Sequence, residues 1–126
     1  MENSSKIRTF RDLKTWQSGH QLVLTIYKAT KTFPKDEMFG LISQLRRAGV
    51  SFTSNLAEGF SRRSYKEKVQ FYCTSLGSLT EIQNQLLIAR DIGYLEAATA
   101  DVMLEQTEEL HKMTNGLIKS SKEFYK

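Results

Sequence analysis

One cysteine, Cys73, in 126 residues rules out an internal disulfide, and a reducing compartment is the simplest setting for such a chain. Its setting, VQFYCTSL, is apolar and of helical pattern, so a small buried hydrophobe is expected there rather than a reactive thiol. There is one proline, and the seven glycines stand singly. So few breakers favour long helices over a multi-stranded sheet. No apolar run approaches the length of a membrane span. The opening MENSSKIRTF has no hydrophobic stretch, which argues against a signal peptide. A soluble cytoplasmic protein without membrane contact is expected.

Histidine is also scarce, with two in the chain. A di-metal site in a helical bundle needs Glu-x-x-His on two helices plus further glutamates. Glu108 and His111 make one such pair, but the residue three before His20 is Gln17. There is no Cys-x-x-Cys-His, no phosphate-binding glycine loop and no His-Glu-x-x-His. No metal, no cofactor and no catalytic residue is expected, and the chain does not read as an enzyme.

What is present is helical periodicity in four segments, after a tail covering residues 1–11. Residues 12–126 read as one domain. The first helix starts near Asp12 as N-cap and ends before Pro34. Leu13, Trp16, His20, Val23, Tyr27 and Thr30 form one row, with Leu22, Ile26, Ala29 and Phe33 beside it. The second runs from about Gly40 to Glu58 with Leu41, Leu45, Phe52 and Leu56 inward, and Gly59 is the expected left-handed stop. The third opens on Ser64-Tyr65-Lys66-Glu67, a capping box. Its core row is Val69, Tyr72, Leu76, Leu79 and Leu86, and it stops at Gly93. The fourth spans about Ala97 to Phe124. It carries one row through Met103, Thr107, Leu110 and Leu117 and another through Leu104, His111 and Ile118. Short links between long helices make neighbours antiparallel. The fold class is therefore all-α, an up-down-up-down antiparallel four-helix bundle. The doubled apolar rows on the first and fourth helices point to self-association.

That layout sorts charge. One pole collects Arg8, Arg11, Lys14, Arg62, Arg63, Lys66, Lys68, Lys119, Lys122 and Lys126 against Asp12, Glu58, Glu67 and Glu123. The ten basic and four acidic residues leave a net +6 there. The other pole holds Asp36, Glu37, Asp91, Glu96 and Asp101. Such charges are often plain solvated surface. The alternative is a polyanion footprint, and SRRSYKEK is its strongest element, since it joins clustered cations, Tyr65 and a helix N-terminus that favours phosphate. Arg62, Arg63, Lys66, Lys68, Arg11 and Lys14 are the candidate nucleic-acid contacts.

Glu58 poses a separate question, because a carboxylate near a helix C-terminus opposes the helix dipole by about a few tenths of a kcal/mol. Ser51, Asn55 and Glu58 share one edge of the second helix, with Arg47 about three turns earlier. Arg46, Arg47, Ser51, Asn55 and Glu58 read as a polar seam, with Arg62 and Arg63 as further partners for the acid. The seam either closes the turn or crosses a subunit boundary. The competing reading is a solvated edge.

The segments DLKTWQSGHQLVLTIYKATKTFP, GLISQLRRAGVS, SNLAEGFSRRSYKEKVQFY and GSLTEIQNQLLIARDIGYL carry a resemblance. In order and spacing they are similar to the four-helix bundle proteins encoded within intervening sequences of bacterial large-subunit ribosomal RNA, also called the ribosomal S23 family. Gln44, Arg46, Arg47 and Ala48 match its Gln-x-Arg-Arg-Ala segment, and Asn55, Ala57, Glu58 and Gly59 its Asn-x-Ala-Glu-Gly segment. One departure is Ser51-Phe52-Thr53 where the family commonly has Ser-Ile-Pro. The resemblance implies a cyclic homopentamer with a central channel. It extends more distantly to the pentameric accessory protein of diversity-generating retroelements, which binds a reverse transcriptase and nucleic acid. The expected function is thus a non-enzymatic homo-oligomer that binds RNA or DNA through its basic pole. The alternative is a scaffold that docks a protein partner such as a polymerase or reverse transcriptase.

Overall fold

A computed structural model describes residues 7–124. Among them there are four long helices and no strand: α1 (Lys14–Thr30), α2 (Ser43–Ser61), α3 (Tyr65–Asp91) and α4 (Ala97–Phe124). They form a four-helix bundle around a core that includes Leu22, Ile26, Phe52, Tyr72, Leu79 and Leu110. No described helix is long and apolar enough to cross a membrane.

The N-terminal start differs from expectation. Asp12 does not cap α1. Its Oδ2 instead accepts from the amides of Arg8 (2.8 Å) and Thr9 (3.0 Å), closing a capping box on a 3₁₀ turn, Phe10–Asp12. These amide bonds hold the Asp12 carboxyl below its ordinary range. The extended, buried Leu13 then leads into α1. Phe10 packs edge-on against Trp16, with ring centroids 5.2 Å apart. Residues 8–11, expected as tail, are therefore tied to the bundle, and the first six residues of that expected tail lie outside the described residues. Within α1 the second row supplies the core: Leu22 and Ile26 are buried, whereas Trp16, His20 and Val23 are half-buried and Tyr27 is exposed.

The link from α1 to α2 is a 3₁₀ turn, Lys35–Glu37, followed by a π turn, Met38–Ile42. A kink at Gly40 (φ −113°, ψ −114°) lies inside this π turn, and α2 starts three residues later than the pattern implied. Glu37 stabilises this corner twice. Its Oε1 accepts from the Leu41 amide at 3.1 Å, and its Oε2 accepts from Tyr94 Oη at 3.0 Å. The second bond raises the Tyr94 phenol pKa and ties the α3–α4 connection to the α1–α2 connection.

Gly59 is a correction. It does not stop α2, which runs on to Ser61, and its φ is not positive. It is instead a close-approach position, because a Cβ placed there would stand 2.5 Å from Tyr72 Cε1 and 3.1 Å from Phe71 Cβ. Gly93, at φ 88°, is the left-handed residue that ends a helix, here α3. Ser64 does cap α3: its Oγ accepts from the Glu67 amide at 3.2 Å. Cys73 is exposed, not buried, since α3 turns Tyr72 and Ser75 inward and Cys73 out.

Alanine in place of glycine usually steadies a helix by about 0.5–1 kcal/mol. For Gly59→Ala the sign reverses, because the added methyl must displace a buried ring, at about 1–3 kcal/mol for overpacking. Thermal unfolding should show a melting temperature lowered by several degrees. An unchanged or higher one would mean that Tyr72 does not pack on Gly59.

Candidate nucleic-acid interface

The end of α2 and the start of α3 are separated by three residues, Arg62, Arg63 and Ser64. Arg63 and Lys66 are exposed there. Arg62 is partly engaged: its Nη2 donates to Glu58 Oε2 at 3.0 Å, and its guanidinium lies 4.7 Å from the Phe71 ring centroid. Tyr65 is half-buried beside them. Arg11 is exposed in the Phe10–Asp12 turn, which packs against α2. Its carbonyl accepts from Gln17 Nε2 at 2.8 Å. Lys14 and Lys119 line a groove of about 520 Å³ between the start of α1 and the end of α4, with Met113 and Leu117 among its apolar walls. Arg62, Arg63 and Lys66 thus share one turn, and Lys14 meets α4 rather than that turn.

Lys68 departs from the expected set. It is 3% exposed, and its Nζ donates to the carbonyls of Gly59 (3.3 Å) and Phe60 (2.8 Å) while lying 5.4 Å from the Phe60 ring centroid. The last carbonyls of α2 lack their full set of helical partners, Gly59 O accepting from the Arg62 amide at 3.2 Å, and the dipole there favours a cation. Lys68 of α3 supplies both needs, so it is turned away from any surface that could meet a phosphate. Burial lowers its pKa below the ordinary 10.5. Its spacing to Tyr72, Ser75 and Leu79, at i, i+4, i+7 and i+11, was the signal in the sequence that it points inward.

The expected seam divides. Ser51 reaches α3 while Asn55 bonds within α2: Asn55 Nδ2 donates to Ser51 O (2.8 Å) and Oγ (3.2 Å), and Ser78 Oγ of α3 donates to Ser51 Oγ (2.9 Å). Ser75 Oγ adds a bond to Phe52 O at 2.9 Å. Glu58 stands apart with Arg62. Their side chains are 55% and 41% exposed, the setting in which an i, i+4 pair contributes about 0.3–0.5 kcal/mol. Arg46 belongs to the opposite side of α2, where its Nε donates to Thr30 Oγ1 at 2.9 Å and its guanidinium covers Tyr27, 4.6 Å from the centroid. Arg47 is exposed. On α4, Glu108 and His111 are exposed too, and no group of three or more metal-ligating side chains occurs among the described residues.

Replacing Lys68 by methionine keeps the bulk of the stem and removes the cap on α2. Stability at neutral pH should fall by about 1–3 kcal/mol, the usual range for orphaning buried partners. Because the folded state releases this proton at lower pH than the unfolded chain, the parent gains on the variant as pH rises toward 10.5. Denaturant unfolding at neutral pH and near pH 10 measures both effects. A variant as stable as the parent would show that the two carbonyls do not need the amine.

A search of curated proteins finds no match. Among solved structures, the chain is similar to a protein of unknown function from the S23 ribosomal protein family of Bacteroides thetaiotaomicron VPI-5482. The identity is 17%, the TM-score 0.77, and the alignment covers 83% of this chain and 95% of the other. At that identity the likeness speaks for the fold. The family model described as 23S rRNA-intervening sequence protein matches residues 11–116, a span that takes in α1, α2, α3 and most of α4. The chain belongs to the 23S rRNA-intervening sequence protein family.

Proposed function

We propose that this protein is a non-enzymatic, cytoplasmic homo-oligomer that associates with RNA through its basic pole. The observation that carries the reading is the exposed cluster of Arg63 and Lys66 beside Arg62 at the capped N-terminus of α3. A helix start with its free amides and clustered cations favours phosphate oxygens. Arg11 extends the positive field along the same end, and Lys14 with Lys119 flanks a groove there. Buried Lys68 contributes charge but no contact.

An antiparallel, up-down-up-down arrangement is part of this reading. It is supported by the partners Gly59–Tyr72, Phe52–Ser75 and Ser51–Ser78, in which one number falls as the other rises, and by the bond from Tyr94 to Glu37 at the far end. The number of copies, five in a closed ring, comes from the resemblance to the family. In a ring all basic poles lie on one rim, so their fields add.

The family is named for intervening sequences of 23S rRNA, which makes structured ribosomal RNA the first probe. Phosphate contacts position without reading sequence, so binding should be weakly selective and should fall steeply with salt. Replacing Arg62, Arg63 and Lys66 together by glutamine should weaken binding and reduce the slope of log affinity against log salt by roughly two to three, with the oligomer intact. Mobility shift across a salt series, on protein of measured mass, reads both. A triple variant with parental affinity and slope would acquit this surface. A parent without RNA affinity at low salt would overturn the RNA reading and favour the docking of a protein partner.

A further inference from the structure

The opposite end of the molecule carries features that RNA binding does not use. Phe39, on the kinked π turn, is 95% exposed. Next to it, Tyr27, Met38, Ile42 and Val50 line a groove of about 390 Å³ between α1 and α2, edged by Arg46 and Arg47. On α3 and at its C-cap, Ile92, the residues Gly77, Glu81, Ile88 and Ile92 are exposed and spaced at i, i+4, i+11 and i+15, so they form one outward stripe. A Cβ placed on Gly77 would meet nothing within 4 Å, which leaves the helix backbone open to close approach.

We infer that these two surfaces are the two halves of one contact between copies: the Phe39 knob and its arginine-edged groove on one copy dock on the Gly77–Ile92 stripe of α3 on the next. The inference rests on the self-association in the proposed function and names its interface. Charge selects the pairing. A groove laid against the same groove of another copy would set Arg46 and Arg47 against their own kind, whereas the stripe presents Glu81.

Height selects it as well. The partners Ser51–Ser78, Phe52–Ser75 and Glu37–Tyr94 set the register of α2 and its lead-in against α3. Continued at that register, Arg47 stands level with about residue 82 and Phe39 with about residue 90. A copy rotated about an axis along the helices keeps every residue at its height. Phe39 then arrives between Ile88 and Ile92, Arg47 arrives at Glu81, and the Val50 end of the groove arrives at Gly77. Two different surfaces in contact make a head-to-tail interface, which can close into a ring.

The test uses two surface variants of the full chain, Phe39→Asp and Ile88→Lys/Ile92→Lys, with mass read by light scattering at micromolar concentration and folding checked by circular dichroism. The substituted side chains are exposed, so both variants should fold. Each alone should lose assembly and run as one chain of 14.5 kDa. Mixed in equal amounts they should give a species of two chains, because each still owns the surface the other has lost. If either variant alone keeps the parental mass, or if the mixture stays at one chain, the two surfaces are not partners and the inference is overturned while self-association stands. A parent that itself runs as one chain removes self-association, and this interface with it.

Discussion

The closeness of α2 to α3 is the constraint on which the rest of the basic end depends. Gly59 presents bare backbone to the Tyr72 ring, and any side chain at that position would push the helices apart. Only at that separation can a lysine one turn before Tyr72 reach the carbonyls of Gly59 and Phe60. The same contact fixes how sharply the chain must reverse at residues 62–64. A three-residue reversal leaves no room to bury Arg63 or Lys66, so both stay in water. Packing of one apolar ring on one glycine thus decides which cations are structural and which are free to meet a ligand.

Glu58 becomes understandable within that arrangement. The helix does not end there but continues to Ser61, so the carboxylate sits nearly one turn inside it. Arg62 follows at i+4, the spacing at which a glutamate reaches an arginine on the same helix face. The cation required by the α2 terminus comes instead from α3, through Lys68. Two positive groups serve two different negative ones, the carboxylate and the helix end. The acid is retained at small energetic consequence, and its effect is to restrain Arg62 over Phe71.

Much of the fold was legible from spacing alone. The Ser64 N-cap, the stop at Gly93 and the inward row of Met103, Thr107 and Leu110 on α4 all follow local rules that depend on few distant contacts. The misreadings share a different origin. Periodicity identifies faces but not which of two adjacent rows meets the core, so the two rows of α1 read as equivalent when Leu22 and Ile26 of the second are the ones buried there. Glycine after an apolar run signals a helix end by default, and only the Tyr72 ring across the turn shows that Gly59 serves packing. Lys68 read as surface from its type, though its spacing to Tyr72 and Leu79 said otherwise. Asp12 read as an N-cap from its type and its place before the first apolar row, whereas the bonds it makes point back to Arg8 and Thr9. The exposure of Phe39 was not legible at all, because it arises from the kink at Gly40.

The two ends of the molecule therefore have different physical characters, and the difference bears on how copies could combine. At the α2–α3 turn the solvent-facing groups include Arg62, Arg63 and Lys66 beside Glu58 and Glu67, and like cations repel one another when brought together in the low dielectric of a contact. At the far end the solvent-facing groups include Phe39, Ile88 and Ile92, which gain by leaving water. Association is thus expected to engage the apolar end and spare the basic one. A two-fold axis perpendicular to the helices would join apolar ends but send the basic ends in opposite directions. A rotation along the helices joins apolar side surfaces while keeping every basic end on one side. Only the second geometry makes the field of each copy reinforce its neighbours', and a polyanion that spans several copies then meets a continuous positive surface that no single chain of net charge +4 presents.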